Sequence, residues 1–246
     1  MTWLPSLPET LPATRVALQQ VAVHVLARRR HAATGRFGLR PSPGGVATPS
    51  FGDDTEVLRT SGRLLVVERG AGTATVPLDT LGQAADLAGV DLGKDFSVGD
   101  DTPPVDDPDA ALALDDMDAR LLGEWYAFGA AVIDEAVATT PAITASTTRQ
   151  IWPEHFDLGG AVTLAGPPEV RANVGASPGD DFEPLPYLYL GPWGGDRPGD
   201  AGYWNAPFGA VLRAEELVGL THDAARARAV AFFQRGFALL AAVSPT

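Results

Sequence analysis

The sequence predicts an α+β protein with mainly antiparallel strands in two clusters and three principal helices packed on them. Three observations lead to this prediction. β-type segments cluster at 37–78 and 149–213. The turns between neighbouring segments are too short for the crossovers that parallel strands need. Helical periodicity begins near Thr14, Asp107 and Thr221, which gives the order helix, strands, helix, strands, helix.

The first helix is predicted over residues 14–30, with Gly35 marking its end. The cluster Arg28-Arg29-Arg30 is interpreted as a cationic helix end that complements the helix dipole. We expect the histidines on this helix, and His222 at a later helix start, to be solvated. The apolar positions are Val16, Ala17, Val21 and Val25, and the polar stripe is Gln20, His24, Arg28 and His31.

The first strand cluster is predicted to contain a three-stranded meander over 55–78, because Ser61-Gly62 and the glycines near residue 71 mark two tight turns. A β run at 46–51 precedes it, and a short helix at 80–88 follows.

Residues 91–107 are rich in Asp, Pro and Gly, with Lys94 as the one basic residue. We predict a single domain over 1–246, with the alternative of two lobes, 1–95 and 107–246, joined by an acidic linker at 96–106.

The long central helix is predicted to begin with Asp107 as N-cap and Pro108 at its first position, and to stop at Thr139-Thr140-Pro141. Strands are then predicted at 149–158, 161–164, 170–174, 185–191 and 209–213. Thr221 is expected to cap the last helix. The expected buried residues are Leu114, Met117, Leu121, Trp125, Phe128 and Val132 in the central helix, and Ala225, Ala229, Phe232, Gly236 and Leu240 in the last.

The amino-acid composition limits the classes of partner and of active site that the protein can have. The net charge of −13 disfavours nucleic acid and anionic membranes, which both attract clustered Lys and Arg. Cysteine is absent, which excludes thiol catalysis, thiolate metal sites and disulfides. No leader-like N-terminus or long apolar run occurs, so we expect a cytoplasmic protein. Nothing in the sequence indicates an oligomeric state.

The first candidate site lies in the segment Trp152-Pro153-Glu154-His155-Phe156-Asp157. If this segment is an extended strand, His155 and Asp157 project to the same face. Such a pair suits a divalent metal ion, or a carboxylate that orients an imidazole base. Ordinary structural pairing is the alternative.

The second candidate is the loop Gly175-Ala176-Ser177-Pro178-Gly179-Asp180-Asp181 with the strand after it. Asp180 and Asp181 would repel phosphate, but they suit a metal or sugar site together with His155 and Asp157. Tyr187 and Tyr189 share one face of the following strand, where an apolar ligand face can stack. An ordinary turn and ordinary core packing are the alternatives. We expect His155, Asp157 and at least one of Asp180 or Asp181 to surround one polar pocket bordered by Tyr187 or Tyr189.

These segments and Pro184-Leu185-Pro186-Tyr187-Leu188-Tyr189 resemble a group of bacterial, largely actinobacterial proteins of unknown function. That group combines W-P-x-x-F-D, G-x-S-P-G-D and P-x-P-Y-x-Y motifs, and the resemblance covers about a quarter of the chain. It implies no catalytic role for any residue. It does imply that the motifs occur together.

Two functional interpretations remain open. One is a protein that binds a small molecule or a partner through an aromatic and acidic C-terminal pocket of His155, Asp157, Asp180, Asp181, Tyr187 and Tyr189. The other is a metal-assisted or general-base hydrolase that uses His155 and Asp157. The sequence contains no nucleophile elbow, zinc-protease motif, dinucleotide fingerprint or kinase motif set. No cofactor is expected unless a divalent metal ion occupies this site.

Overall fold

The computed structural model describes residues 2–166 and 169–242 and confirms the α+β fold, with two antiparallel sheets. The helices are α1 Leu11–Val21, α2 Arg28–Thr34, α3 Leu81–Ala88, α4 Asp116–Ala138 and α5 His222–Ala241. A π-helical turn, Ala22–Ala27, joins α1 to α2, and a 3-10 turn spans Ala214–Leu217. The strands are β1 Arg40–Ser42, β2 Gly45–Ala47, β3 Val57–Ser61, β4 Leu64–Arg69, β5 Gly72–Pro77, β6 Ile143–Ser146, β7 Gln150–Trp152, β8 Asp157–Leu164, β9 Val170–Ser177, β10 Tyr187–Pro192 and β11 Ala210–Arg213.

The chain divides into two compact units. The first, here the N-terminal unit, comprises Pro8–Ala127 and Gln150–Asp157. The second, here the C-terminal unit, comprises Met1–Leu7, Phe128–Arg149 and Leu158–Thr246. Within the described ranges, no helix has both the length and the apolar character needed to cross a membrane.

The N-terminal unit is built on a sheet in the order β1-β2-β3-β4-β5. Its last three strands form the predicted meander, and the Ser61↔Leu64 pair closes the first hairpin around Gly62 at φ 57°. The first half of α4 approaches the β1–β2 hairpin closely, because a Cβ at Gly123 would collide with the backbone of Gly45. Only a glycine permits this spacing at the helix surface.

A buried carboxylate ties α2 to this sheet. Glu56, which is 6% exposed, accepts hydrogen bonds from Arg29 Nε and Nη2 at 2.9 and 2.8 Å and from Arg69 at 3.1 Å. Burial acts to raise the pKa of Glu56, but the two guanidinium groups outweigh it and leave the pKa below its usual value. Arg29 therefore binds the sheet, and the three arginines do not form the helix end that the sequence predicted. The helix continues to Thr34 and ends where Gly35 adopts φ 68°.

The C-terminal unit contains strands in the order β11-β10-β9-β8-β6, all antiparallel. The second half of α4 and α5 pack on this sheet at glycines. A Cβ at Gly129 would collide with Ala176, and one at Gly236 would lie 2.8 Å from Leu190. Thr221 caps α5 as predicted, since its hydroxyl accepts from the backbone N–H of Ala224 at 3.3 Å.

The start of α4 differs from the prediction. Asp107 does accept a hydrogen bond, from the N–H of Asp109 at 2.9 Å, but only within an isolated turn. The chain then stays extended, because the Leu112 N–H pairs with Asp79 O at 2.8 Å. Asp115 is the actual cap and accepts from the N–H groups two and three residues ahead at 2.8 and 3.1 Å.

Some predicted faces and boundaries are also wrong. Met117 is 72% exposed, and Phe233 rather than Phe232 is the fully buried aromatic of this pair on α5. Strand β6 was not predicted, and β9 extends to Ser177 instead of ending at residue 174. The error on α5 is confined to this position, because the other four predicted residues of the stripe are buried. Neighbouring residues on a helix point about 100° apart, so Phe233 faces the core where Phe232 does not.

Trp125 at the middle of α4 is 1% exposed, so its truncation tests the assignment of the buried face. We expect Trp125→Ala to lower the free energy of unfolding by about 3–5 kcal/mol, through lost burial and a residual cavity. Met117→Ala on the same helix is the matched control and should change it by less than about 0.5 kcal/mol. Urea denaturation measures both, and equal midpoints for the two variants would contradict the assignment.

Candidate functional site

The segment from Trp152 to Asp157 is a turn, which corrects the prediction of a continuous strand. Strand β7 ends at Trp152 and β8 begins at Asp157. The backbone N–H of Phe156 donates to Trp152 O at 2.7 Å and closes the turn. His155 is therefore not in a strand, and strand alternation does not place it on one face with Asp157.

Phe156 holds this turn in an unusual conformation. Its φ is 54°, in the left-handed region that bulky residues rarely adopt, and its side chain is fully buried. The Tyr126 hydroxyl donates to the Phe156 carbonyl, and the two rings meet edge to face at 5.7 Å. Burial, and then the charge of Asp157, raise the pKa of Tyr126 well above its usual value, so this hydroxyl stays protonated and acts as a donor.

His155 projects from the turn beside two carboxylates. Asp101 Oδ2 lies 3.4 Å from Nδ1, and Glu154 Oε1 lies 3.5 Å from Nε2. The His155 side chain is 55% exposed, so these contacts are largely solvated. Asp101 belongs to the acidic segment at 91–107, which is distant from His155 in sequence, so no local spacing predicts this pairing.

The acidic segment at 91–107, here called the acidic loop, is an ordered loop. It lies on the continuous helix formed by α1, the π-helical turn and α2, which we call the first helix. Gln20 donates to Pro104 O at 3.0 Å, His24 Nε2 lies 2.7 Å from Pro103 O, and Arg28 donates to Lys94 O. These three side chains are spaced four residues apart and belong to the predicted polar stripe. The stripe therefore binds backbone carbonyls of the loop.

His24 is buried, contrary to the expectation of a solvated histidine. It is 4% exposed and lies in the π-helical turn between α1 and α2, a feature that is frequent at functional sites. Burial lowers the pKa of His24, the hydrogen bond to Pro103 opposes this effect, and the charge of Arg28 adds to it. An open depression of about 480 Å³ lies beside the ring, lined among others by Arg28, Lys94, Asp95 and Phe96.

In the C-terminal unit, Asp180 organises the second predicted motif. Its Oδ1 accepts the backbone N–H groups of Phe182 and Glu183 at 2.9 and 3.0 Å, and its Oδ2 accepts the Tyr187 hydroxyl at 2.5 Å. Asp181 is exposed beside it. The Asp180 carboxylate therefore folds the loop, and Asp181 is the acid that faces solvent.

Four aromatic rings surround this loop. Phe182 and Phe208 meet edge to face at 5.2 Å, and each is 38% exposed. Tyr187 is buried and Tyr189 half-buried, with ring centroids 6.2 Å apart. We call Phe182, Tyr187, Tyr189 and Phe208 the aromatic cluster. Phe182 was not predicted, because its position between Asp181 and Glu183 carries no periodic signal.

Gly175 makes room for the cluster. It is paired with Tyr189 across β9 and β10, and a Cβ at this position would collide with the tyrosine ring. Gly179, at φ 102°, lies against the Pro184 carbonyl and closes the base of the loop. The two glycines of the motif therefore serve a close approach and a turn.

The structure thus brings Asp180, Tyr187 and Tyr189 together in the C-terminal unit. In the N-terminal unit His155 lies in the turn at 153–156, and Asp157 begins β8 directly after it. The proximity of these two groups stays a prediction. Within residues 2–166 and 169–242, no group of three or more His, Asp or Glu side chains is arranged to hold a metal ion.

The Tyr187 to Asp180 hydrogen bond can be tested with a double-mutant cycle. Hydrogen bonds to charged groups contribute about 1.5–3 kcal/mol, so Tyr187→Phe should lower the free energy of unfolding by that order. Combination with Asp180→Ala should give a coupling energy of about 0.5–3 kcal/mol in urea denaturation. The exposed neighbour provides the control, because Asp181→Ala should be additive with Tyr187→Phe. Additivity in both pairs would contradict the hydrogen bond.

Comparisons of the chain with protein-family models, with curated proteins and with solved structures find no match.

Proposed function

We propose that the protein binds a small molecule that has an apolar or aromatic face, at the aromatic cluster of the C-terminal unit. The observation that carries this proposal is the exposed edge-to-face pair of Phe182 and Phe208 beside the half-buried Tyr189. Aromatic rings that remain exposed on an ordered frame offer a stacking surface with little ordering cost. Asp180 provides that frame through its three accepted hydrogen bonds.

The charges around the cluster favour a cationic or hydrogen-bond-donating ligand. Asp181 is exposed, and Asp180 lies next to it. Glu183 is already paired with Arg213, whose Nε donates to it at 2.6 Å. Because Asp181 is the acid of this loop that faces solvent, it is the group that supports attraction of a ligand ammonium group.

The test compares two indole compounds that differ in charge, tryptamine and indole-3-acetate, by saturation-transfer NMR and calorimetry. We expect tryptamine to bind more tightly. Phe182→Ala and Phe208→Ala should each weaken it by about two- to tenfold, the equivalent of one aromatic contact of about 0.5–1.5 kcal/mol. Trp193→Ala is the matched control, since Trp193 is an exposed aromatic outside the cluster. Equal binding of both compounds, or no loss in either phenylalanine variant, would refute the proposal.

A hydrolase that uses His155 and Asp157 is the second candidate. The observation that favours it is the carboxylate of Asp101 near His155 Nδ1, since an acid at this nitrogen orients an imidazole for proton transfer. In this candidate Asp101 positions the ring, and Asp157 follows two residues later, at the start of β8.

The metal-assisted form of this candidate predicts a bound ion. Mass spectrometry of the protein, purified without added metal, should then find about one zinc, manganese or iron per chain, and His155→Ala should remove it. Asp91→Ala is the control, since Asp91 lies in the same acidic loop and is paired with Lys94. A metal content below about one tenth per chain would reject the metal-assisted form.

A further inference from the structure

The acidic loop is held to the first helix by one row of side chains. Gln20, His24 and Arg28 lie at successive turns of the helix, and each is bound to a different loop carbonyl. Two apolar contacts support the row: Val98 packs on Val23 and Ala27, and Phe96 packs against the same cluster. His24 is the central member of the row, and its imidazole is the group of these three whose charge can change at mildly acidic pH.

The hydrogen bonds of His24 determine its protonation state in this arrangement. The Pro103 carbonyl is only an acceptor, so Nε2 must carry the proton. Nδ1 is buried and forms no hydrogen bond within the part of the chain that the structure describes. A neutral ring fits this site, whereas a second proton would place a positive charge and an unsatisfied N–H donor in the buried position.

Charged groups lie near this ring on its own helix and on the loop. Arg28 on the same helix repels an imidazolium. Lys94, Asp95 and Asp100 of the loop line the adjacent depression, and all three are exposed, so solvent screens their effects.

Beyond the depression, the loop also contacts the turn at 153–156. There Asp101 lies beside His155, and Glu154 lies on the other side of that ring. Protonation of His155 would strengthen its attraction to Asp101 and would hold the loop more tightly, which opposes release at low pH. The His155 contact is solvated, and the buried position of His24 therefore dominates.

We propose that the acidic loop is a pH-sensitive strap, which the neutral ring of His24 holds on the first helix and which protonation of that ring releases. Release would free the backbone carbonyls at 103 and 104 and expose the buried ring of His24 to solvent. It would also separate Asp101 from His155, so the strap would control access to that pair.

Proton linkage determines the direction in which pH shifts the equilibrium between the strapped and released forms. Burial lowers the pKa of His24 below 6.5, whereas the released loop leaves the imidazole with its ordinary value. The released form therefore binds the proton more readily, and the strapped form loses stability as the pH falls through about 6.5. At pH 5.5 this linkage can favour release by at most about tenfold.

Hydrogen–deuterium exchange of the full chain at pH 7.5 and 5.5, corrected for intrinsic exchange rates, tests the strap. In the wild-type protein, protection of the backbone amides at 94–102 should fall by up to about tenfold at the lower pH. His24→Gln keeps an N–H donor and cannot be protonated, so its protection should change by less than about twofold. His31→Gln is the matched control, because His31 is exposed on the same stripe and contacts Phe96 at 5.7 Å. It should retain the wild-type pH dependence.

If the His24→Gln variant leaves the loop unprotected at both pH values, a measurement on the wild-type protein still tests the strap. Nitrogen NMR of the His24 ring should show the neutral Nε2–H form at pH 7.5, and its protonation should follow the loss of loop protection. The proposal is overturned if His24→Gln and wild type share one pH dependence. It is also overturned if the ring becomes protonated while the loop stays protected.

Discussion

Hydrogen bonds from the first helix to the carbonyls of the acidic loop are the constraint on which the arrangement of the N-terminal unit depends. Residues 91–107 contain six aspartates and one lysine, so the loop has little tendency to fold by itself. Gln20, His24 and Arg28 bind its backbone, and its aspartates are left in solvent. This fixes the path of the loop and brings Asp101 to His155.

The sequence predicted elements whose boundaries depend on local chemistry. Thr80 and Thr221 cap their helices through their hydroxyls, and the turn at Gly62 closes its hairpin. The error at the start of α4 has a tertiary cause. Asp107-Pro108 has the local features of a helix start, but pairing of Leu112 with Asp79 keeps the following residues extended.

The candidate sites were less predictable because their geometry depends on distant parts of the chain. A polar helical stripe has the same spacing whether it faces water or the carbonyls of a loop, so the burial of His24 could not be inferred from periodicity. Asp180, Tyr187 and Tyr189 were predicted and do lie together, since they are close in sequence. Phe182 completes their cluster through a loop conformation that no spacing rule describes.

The left-handed backbone at Phe156 explains why the sequence did not predict the turn at 153–156. Glycine or asparagine marks such positions when the backbone decides the residue, and a side chain there costs about 1–2 kcal/mol. Removal of a buried phenylalanine ring costs about 3–5 kcal/mol, which is larger. The ring therefore outweighs the strain, and a glycine at this position would relax the backbone while it destabilised the unit. A search for turns that relies on small residues will overlook those that a buried aromatic residue holds in place.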